Sequence, residues 1–203
     1  MMFFQDTRSI GLIFWIVAIL FMINAAIILL GAFTEDIVLI PDYVTDVQMY
    51  CLLAGFGSLI VSLLYAARAH KAMSKKNTRM EILHGYVLTV GLCSLLGNSI
   101  VGLAEYLYTD QPENGMILTG FSILMGIIVV LVAFVITNGK KGLFKKVIWA
   151  ILVIAFILMA IGALTPAENY WEYIENIAHL LIAFFMLALI ADGDIRTEMG
   201  VKS

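Results

Sequence analysis

Six stretches of this chain carry no charged residue: Ile10 to Phe33, Val47 to Ala67, Ile82 to Ala104, Gly115 to Gly139, Val147 to Leu164 and Asn176 to Ala191. A bilayer's hydrocarbon core of roughly 30 Å takes about 20 helical residues to cross. The first four stretches meet that length directly. The fifth ends in Leu164-Thr165-Pro166, and the sixth is expected to extend back through Trp171 and Tyr173, residue types suited to the aromatic belt. In lipid a backbone that is not closed into a barrel satisfies its hydrogen bonds only as helix. None of the stretches alternates with period two, which excludes a β-barrel. The expected fold is therefore all-α, a polytopic transmembrane six-helix bundle forming a single transmembrane domain over residues 1–203. The first stretch is too long for a signal-peptide core, so it is expected to stay as an uncleaved span.

Composition agrees with this reading. Hydrophobic residues make up 62% of the chain and charged residues 13%, against about 25% charged in a soluble domain, and the mean hydropathy is +1.00. The net charge of −3 argues against a nucleic-acid partner and leaves the lipid bilayer as the expected one. The two cysteines, Cys51 and Cys93, fall inside apolar stretches without CxxC or metal spacing and read as packing residues.

Charge sets the orientation. The 12 Lys and Arg sit at Arg8; at Arg68, Lys71, Lys75, Lys76 and Arg79; at Lys140, Lys141, Lys145 and Lys146; and at Arg196 and Lys202. The intervening loops carry only acids: Glu35, Asp36, Asp42 and Asp46, then Asp110 and Glu113, then Glu168, Glu172 and Glu175. The positive-inside rule then gives a multi-pass cell-membrane protein with both termini cytoplasmic. The basic loops divide the chain into three hairpins, about 9–69, 81–139 and 147–191. Each outer turn holds one of the chain's prolines, Pro41, Pro112 or Pro166, after a glycine near the end of the rising helix, Gly31, Gly102 or Gly162. Proline cannot continue a helix, so this pattern reads as a helix stop repeated three times, an internal repeat.

Six spans in three tandem hairpins with this glycine and proline placement resemble the HdeD-like membrane proteins, over Gly11 to Ala191. The first hairpin departs from the pattern, with a Val/Leu/Ile stretch between Gly31 and Pro41. The resemblance implies a non-enzymatic role in envelope or acid-stress tolerance. It carries no catalytic residue, cofactor or metal across.

The third span is the unusual one. His84, Gly91, Asn98 and Glu105 recur every seven residues and fall on one stripe of a regular helix, with Ser94 and Gly102 beside it. Small and polar residues let helices approach and bond across their contact, so the plain reading is a packing seam. The sharper reading is a polar pathway, with Glu105 at its outer mouth and His84 at its inner one. Gly91, Gly97 and Gly102 allow a break in this span, although no proline lies inside any span. In the sixth span Glu172, Glu175 and His179 share a face; Glu175 and His179 read first as a surface pair. Joined to Glu105 they would form an outer site for a cation, for proton sensing or for a divalent metal, though without HxxxH or HExxH spacing. Asn24 lies at a depth similar to Asn98, and a cross-helix amide bond is the economical expectation. Ser58 with Ser62, and Ser122 with Gly126, read as packing seams, including one for a homo-oligomer or membrane complex. Span five, nearly free of polar residues, is expected to face lipid, and the Lys140 to Lys146 cluster to attract anionic lipid. No catalytic motif, Gly-rich phosphate loop or GxSxG occurs. Three functional classes follow: a non-enzymatic envelope protein, a channel or carrier for an unidentified small solute or ion using the third-span stripe, and a membrane enzyme with an outer metal site.

Overall fold

A computed structural model describes residues 7–34, 42–74, 77–138, 142–166 and 170–201, leaving aside the side chains of residues 7, 8, 170 and 171. Lys75, Lys76, Lys140, Lys141, Lys202, Glu35, Asp36, Pro41 and Glu168, used in the topology and repeat readings, lie outside the described residues. The chain is an integral membrane protein with an all-α fold. Six helices are long and apolar enough to cross a bilayer: α1 (Thr7–Gly31), α2 (Val47–Ser74), α3 (Arg79–Tyr108), α4 (Pro112–Asn138), α5 (Leu143–Gly162) and α6 (Tyr170–Ile190). A short α7 (Gly193–Glu198), which the apolar pattern does not announce, follows.

The helices outrun the charge-free stretches, because a cationic or acidic end residue can stay helical while its head group finds a partner. Arg68 shows this. Rather than lying in a loop, it is buried inside α2, and its Nη2 donates to the backbone carbonyls of Glu81 (2.7 Å) and Ile82 (3.3 Å) at the start of α3. Gly85 makes room for the guanidinium: a Cβ there would fall 1.9 Å from Arg68 Cζ. α3 opens on a capping box, in which Thr78 Oγ1 accepts from the Glu81 N–H and Glu81 Oε2 accepts from the Thr78 N–H. Pro112 does not stop α3, which ends at Tyr108. It is the first residue of α4, where its missing N–H costs nothing.

Neighbouring spans pack in order around a ring, α1 on α2, α2 on α3, α3 on α4, α5 on α6, and α6 back on α1, while α4 and α5 barely touch. α5 packs chiefly on α6 and exposes Ile151, Ile154, Leu158 and Ile161. Lipid gives no hydrophobic gain for helix association, so close backbone approach has to supply it. It does so on both flanks of α3. Gly97 meets Gly57 of α2, where a Cβ would lie 3.0 Å from the Gly57 carbonyl and 2.4 Å from Val61 Cγ2. Gly91 meets Gly126 of α4, where a Cβ on Gly126 would lie 2.9 Å from the Gly91 carbonyl. Hydroxyls bond across helix contacts as well, Ser62 of α2 to the Ala18 carbonyl of α1 at 2.9 Å and Ser94 of α3 to the Ser122 carbonyl of α4 at 2.8 Å. Gly102 likewise serves packing, against Thr119, rather than ending its helix.

Just after the Gly91 crossing, and through the Gly97 one, α3 is not a regular α-helix. Residues Cys93–Asn98 form a π-helical turn, which accommodates one extra residue and turns everything after it relative to everything before it.

The bundle is solid at one end only. At the end bearing the basic loops, Ile10, Ala72, Ile82, Leu83, Met186 and Ile190 are all but inaccessible. The C-terminal tail seals this end. Ile195 and Met199 are buried, Asp192 caps α7 through the Asp194 N–H, and Arg79 pairs with Asp192. Burial pushes the Asp192 carboxyl up, but the Arg79 hydrogen bond and charge and the amides of Asp194 and Ile195 outweigh it and hold the group below its ordinary value. A lowered native pKa stabilises the fold above the unfolded carboxylate pKa of about 3.9 and loses that effect as pH falls through the native value.

Thermal unfolding in detergent should show Gly97→Val costing about 1–3 kcal/mol by overpacking, and Ser62→Ala costing under about 1 kcal/mol, as single membrane hydrogen bonds do. Asp192→Asn should lower the melting temperature at neutral pH, and its gap to the parent protein should close as pH is taken below the native Asp192 pKa. A gap unchanged from neutral to acid would deny the Arg79 pairing its role.

Candidate functional site

The other end of the bundle is hollow. A cavity of about 610 Å³ lies between the spans, and every one of the six contributes to its wall. That volume falls in the range of small-molecule sites, roughly 300–1,000 Å³. Most of the wall is apolar, from residues such as Ile28, Val61, Val90, Phe121 and Met125, and a few polar groups converge on it: Asn24, Tyr50, Ser58, Ser94, Asn98, Glu172, Glu175 and His179. Its acids stand without Lys or Arg among the described wall residues. α5 gives only Met159, so the wall between α4 and α6 is at its thinnest there.

Local structure explains each placement. The segment 42–46 and the end of α3 tie together above the cavity. Val44 and Thr109 form an isolated antiparallel bridge, with Thr45 N–H donating to the Tyr108 carbonyl (2.8 Å) and Asp110 N–H to the Tyr43 carbonyl (2.9 Å). Tyr43 thereby becomes part of the rim. Beneath lies an aromatic layer. Phe21 stacks on Tyr65 (5.3 Å between ring centroids) and meets His179 edge-on (5.5 Å), and Phe14, Tyr86 and Phe156 continue it into the solid half. The Tyr86 hydroxyl donates to Met159 Sδ at 3.8 Å.

The π turn decides which part of the third-span stripe reaches the cavity. Regular helix would put His84, Gly91, Asn98 and Glu105 on one line. The extra residue breaks that line between Gly91 and Asn98, and the four residues meet different surroundings. His84 is half-buried near Arg68 and Lys71 of α2, at the solid end. Gly91 is the contact with α4. Asn98 opens into the cavity. Glu105 accepts a 3.2 Å hydrogen bond from the Tyr50 hydroxyl of α2. A single polar pathway from His84 to Glu105 is therefore not what the helix builds. The cavity face of α3 is Val90, Cys93, Ser94, Asn98 and Val101.

The sixth-span residues do come together. Glu175 and His179 approach to 4.0 Å and both line the cavity with Glu172. Among the described residues no three His, Cys, Asp or Glu side chains gather closely enough to hold a metal ion; Glu105 is held by Tyr50, while Glu175 pairs with His179. The expected bond between Asn24 and Asn98 does not form either. α2 stands between α1 and α3 and the cavity separates the two amides, leaving Asn24 Oδ1 buried without a partner. Both free cysteines, Cys51 and Cys93, are wall residues. Of the cavity's parts, the aromatic layer and Tyr50 escaped the sequence reading, because aromatics inside an apolar span look like core. No family model, no curated protein and no solved structure matches the chain.

In a variant lacking both native cysteines, Asn98→Cys should react with a water-soluble thiol reagent, while Leu83→Cys in the solid half should stay unmodified. Equal protection at both positions, read by mass spectrometry, would mean that the hollow half is filled by protein.

Proposed function

We propose that this protein is a small-solute carrier or binding protein of the cell membrane, non-enzymatic, holding its solute in the hollow half of the six-helix bundle. The observation that carries this reading is the cavity reaching Asn98 from the acidic-loop end. A structural bundle has no need of a void that size, and polar groups placed around an apolar chamber are the ordinary makings of a solute site. The positive-inside rule orients this chamber outward, with both termini in the cytoplasm. The envelope-stress role implied by the HdeD-like resemblance needs no such chamber, so the hollow half favours transport over it.

In this reading the bundle is captured open to one side. The aromatic layer of Phe21 and Tyr65, with the packed half below, is the closed gate. Release to the basic side requires that layer to part. The π turn of α3 supplies a place to bend, since such turns exchange with regular helix through the shift of one hydrogen-bond register. Gly57 and Gly126 offer smooth surfaces for α3 to move against.

Screening the purified protein for thermal stabilisation against cationic, neutral and anionic small molecules should yield at least one stabilising class. Asn98→Leu should abolish that stabilisation without lowering the melting temperature of the unliganded protein. No stabilisation by any class would remove the reading.

A further inference from the structure

The chemical class of the solute can be taken further, on the reading that the cavity holds one. Asn24 lines the cavity at 3% exposure, and its Oδ1, closed off from the open space, has no hydrogen-bond partner; a turn of the carboxamide about its last torsion presents Oδ1 to the chamber. A buried amide oxygen left unpaired is costly, so its retention in the wall of a chamber points to a ligand that completes it. An amide oxygen accepts; the missing group is a donor.

What stands beside Asn24 defines the donor's charge. The rings of Phe21 on α1 and His179 on α6 touch. From Phe21, Asn24 lies about one helical turn towards the acidic-loop end. From His179 on the oppositely running α6, Glu175 lies about one turn in the same direction. α1 and α6 pack directly on each other. Asn24 and Glu175 are therefore at one level on adjacent helices, with the Phe21 and Tyr65 rings one turn below. Glu172 is a turn above Glu175, and Glu105 stands behind Tyr50. His179 faces Glu175 at 4.0 Å. Acids in a low-dielectric chamber, without lysine or arginine in the described wall, raise the local concentration of cations.

We propose that the cavity is a site for an amphipathic amine: a protonated primary or secondary ammonium that gives one N–H to Asn24 Oδ1 and its charge to Glu175, with an apolar body against Val61, Val90, Phe121 and Met125. An inorganic cation would leave that apolar wall unused. A carboxylate would meet Glu172 and Glu175 as like charges. A quaternary ammonium would carry the charge but leave Asn24 unpaired.

Four probes sharing one tail separate these cases: octylammonium, trimethyloctylammonium, octanol and octanoate. Each is titrated calorimetrically into the full-length protein in zwitterionic nanodiscs, with protein-free discs as the baseline. Octylammonium should bind at least about tenfold tighter than octanoate, as a charge-assisted hydrogen bond implies, and tighter than its trimethyl analogue. Glu175→Gln should collapse the gap between octylammonium and octanol. Asn24→Leu should erase the gap between the two ammonium probes. If Asn24→Leu fails to fold, the half-exposed Glu175→Gln variant carries the test alone. Octanoate binding as tightly as octylammonium would overturn the amine assignment and leave the solute cavity standing. No probe binding above the protein-free discs would overturn both.

Discussion

Each backbone polar group in a bilayer core has to be satisfied within its own helix, and helices that have done so hold together only as closely as their backbones can approach. That constraint organises this molecule. α3 stands between α2 and α4 because two glycine crossings, Gly57 with Gly97 and Gly91 with Gly126, let it touch both. One crossing lies just before the π turn and the other within its last residues, so the irregular segment is held at both ends. The amphipathic logic of soluble helices has little purchase here, since all the spans carry large apolar residues on their outer faces.

The two halves of the bundle divide labour. The basic-loop half has an interior packed to near-zero accessibility and is sealed by the returning tail, where Arg79, Asp192 and α7 close the base. The acidic-loop half trades packing for volume. Its walls stay in place because their contacts lie elsewhere: α1 and α2 are zipped along most of their length, α3 is pinned by its glycines, and the segment around Val44 is bridged to Thr109. A void can persist in such a scaffold without collapsing, because each helix is positioned by contacts on the faces that do not line it.

The spans were legible in the sequence because charge is expensive in lipid and its absence over such lengths has one explanation. Their ends were less legible. Charge and proline do not mark the boundaries at Arg68 and Pro112, because a long cationic side chain reaches carbonyls from inside a helix and proline suits a helix's first turn. The polar residues Asn24, Asn98, Glu175 and His179 could be singled out as unusual for membrane depth. Which of them share a space could not be read, because a seven-residue spacing presumes regular helix. Gly91, Gly97 and Gly102 marked the third span as irregular, but glycine alone does not distinguish a packing crossing from a break, and here it serves the crossing.

The π turn makes the pocket depend on backbone register as well as on residue identity. Were Cys93–Asn98 to wind as ordinary helix with no residue lost, the segment from Ser99 to Tyr108 would swing by roughly 100°. Val101 would then leave the wall, Gly102 would lose its seat on Thr119, and Glu105 would turn away from Tyr50, with every side chain otherwise unchanged. A related chain one residue shorter in this turn would instead carry regular helix there and keep the same outer face on the chamber.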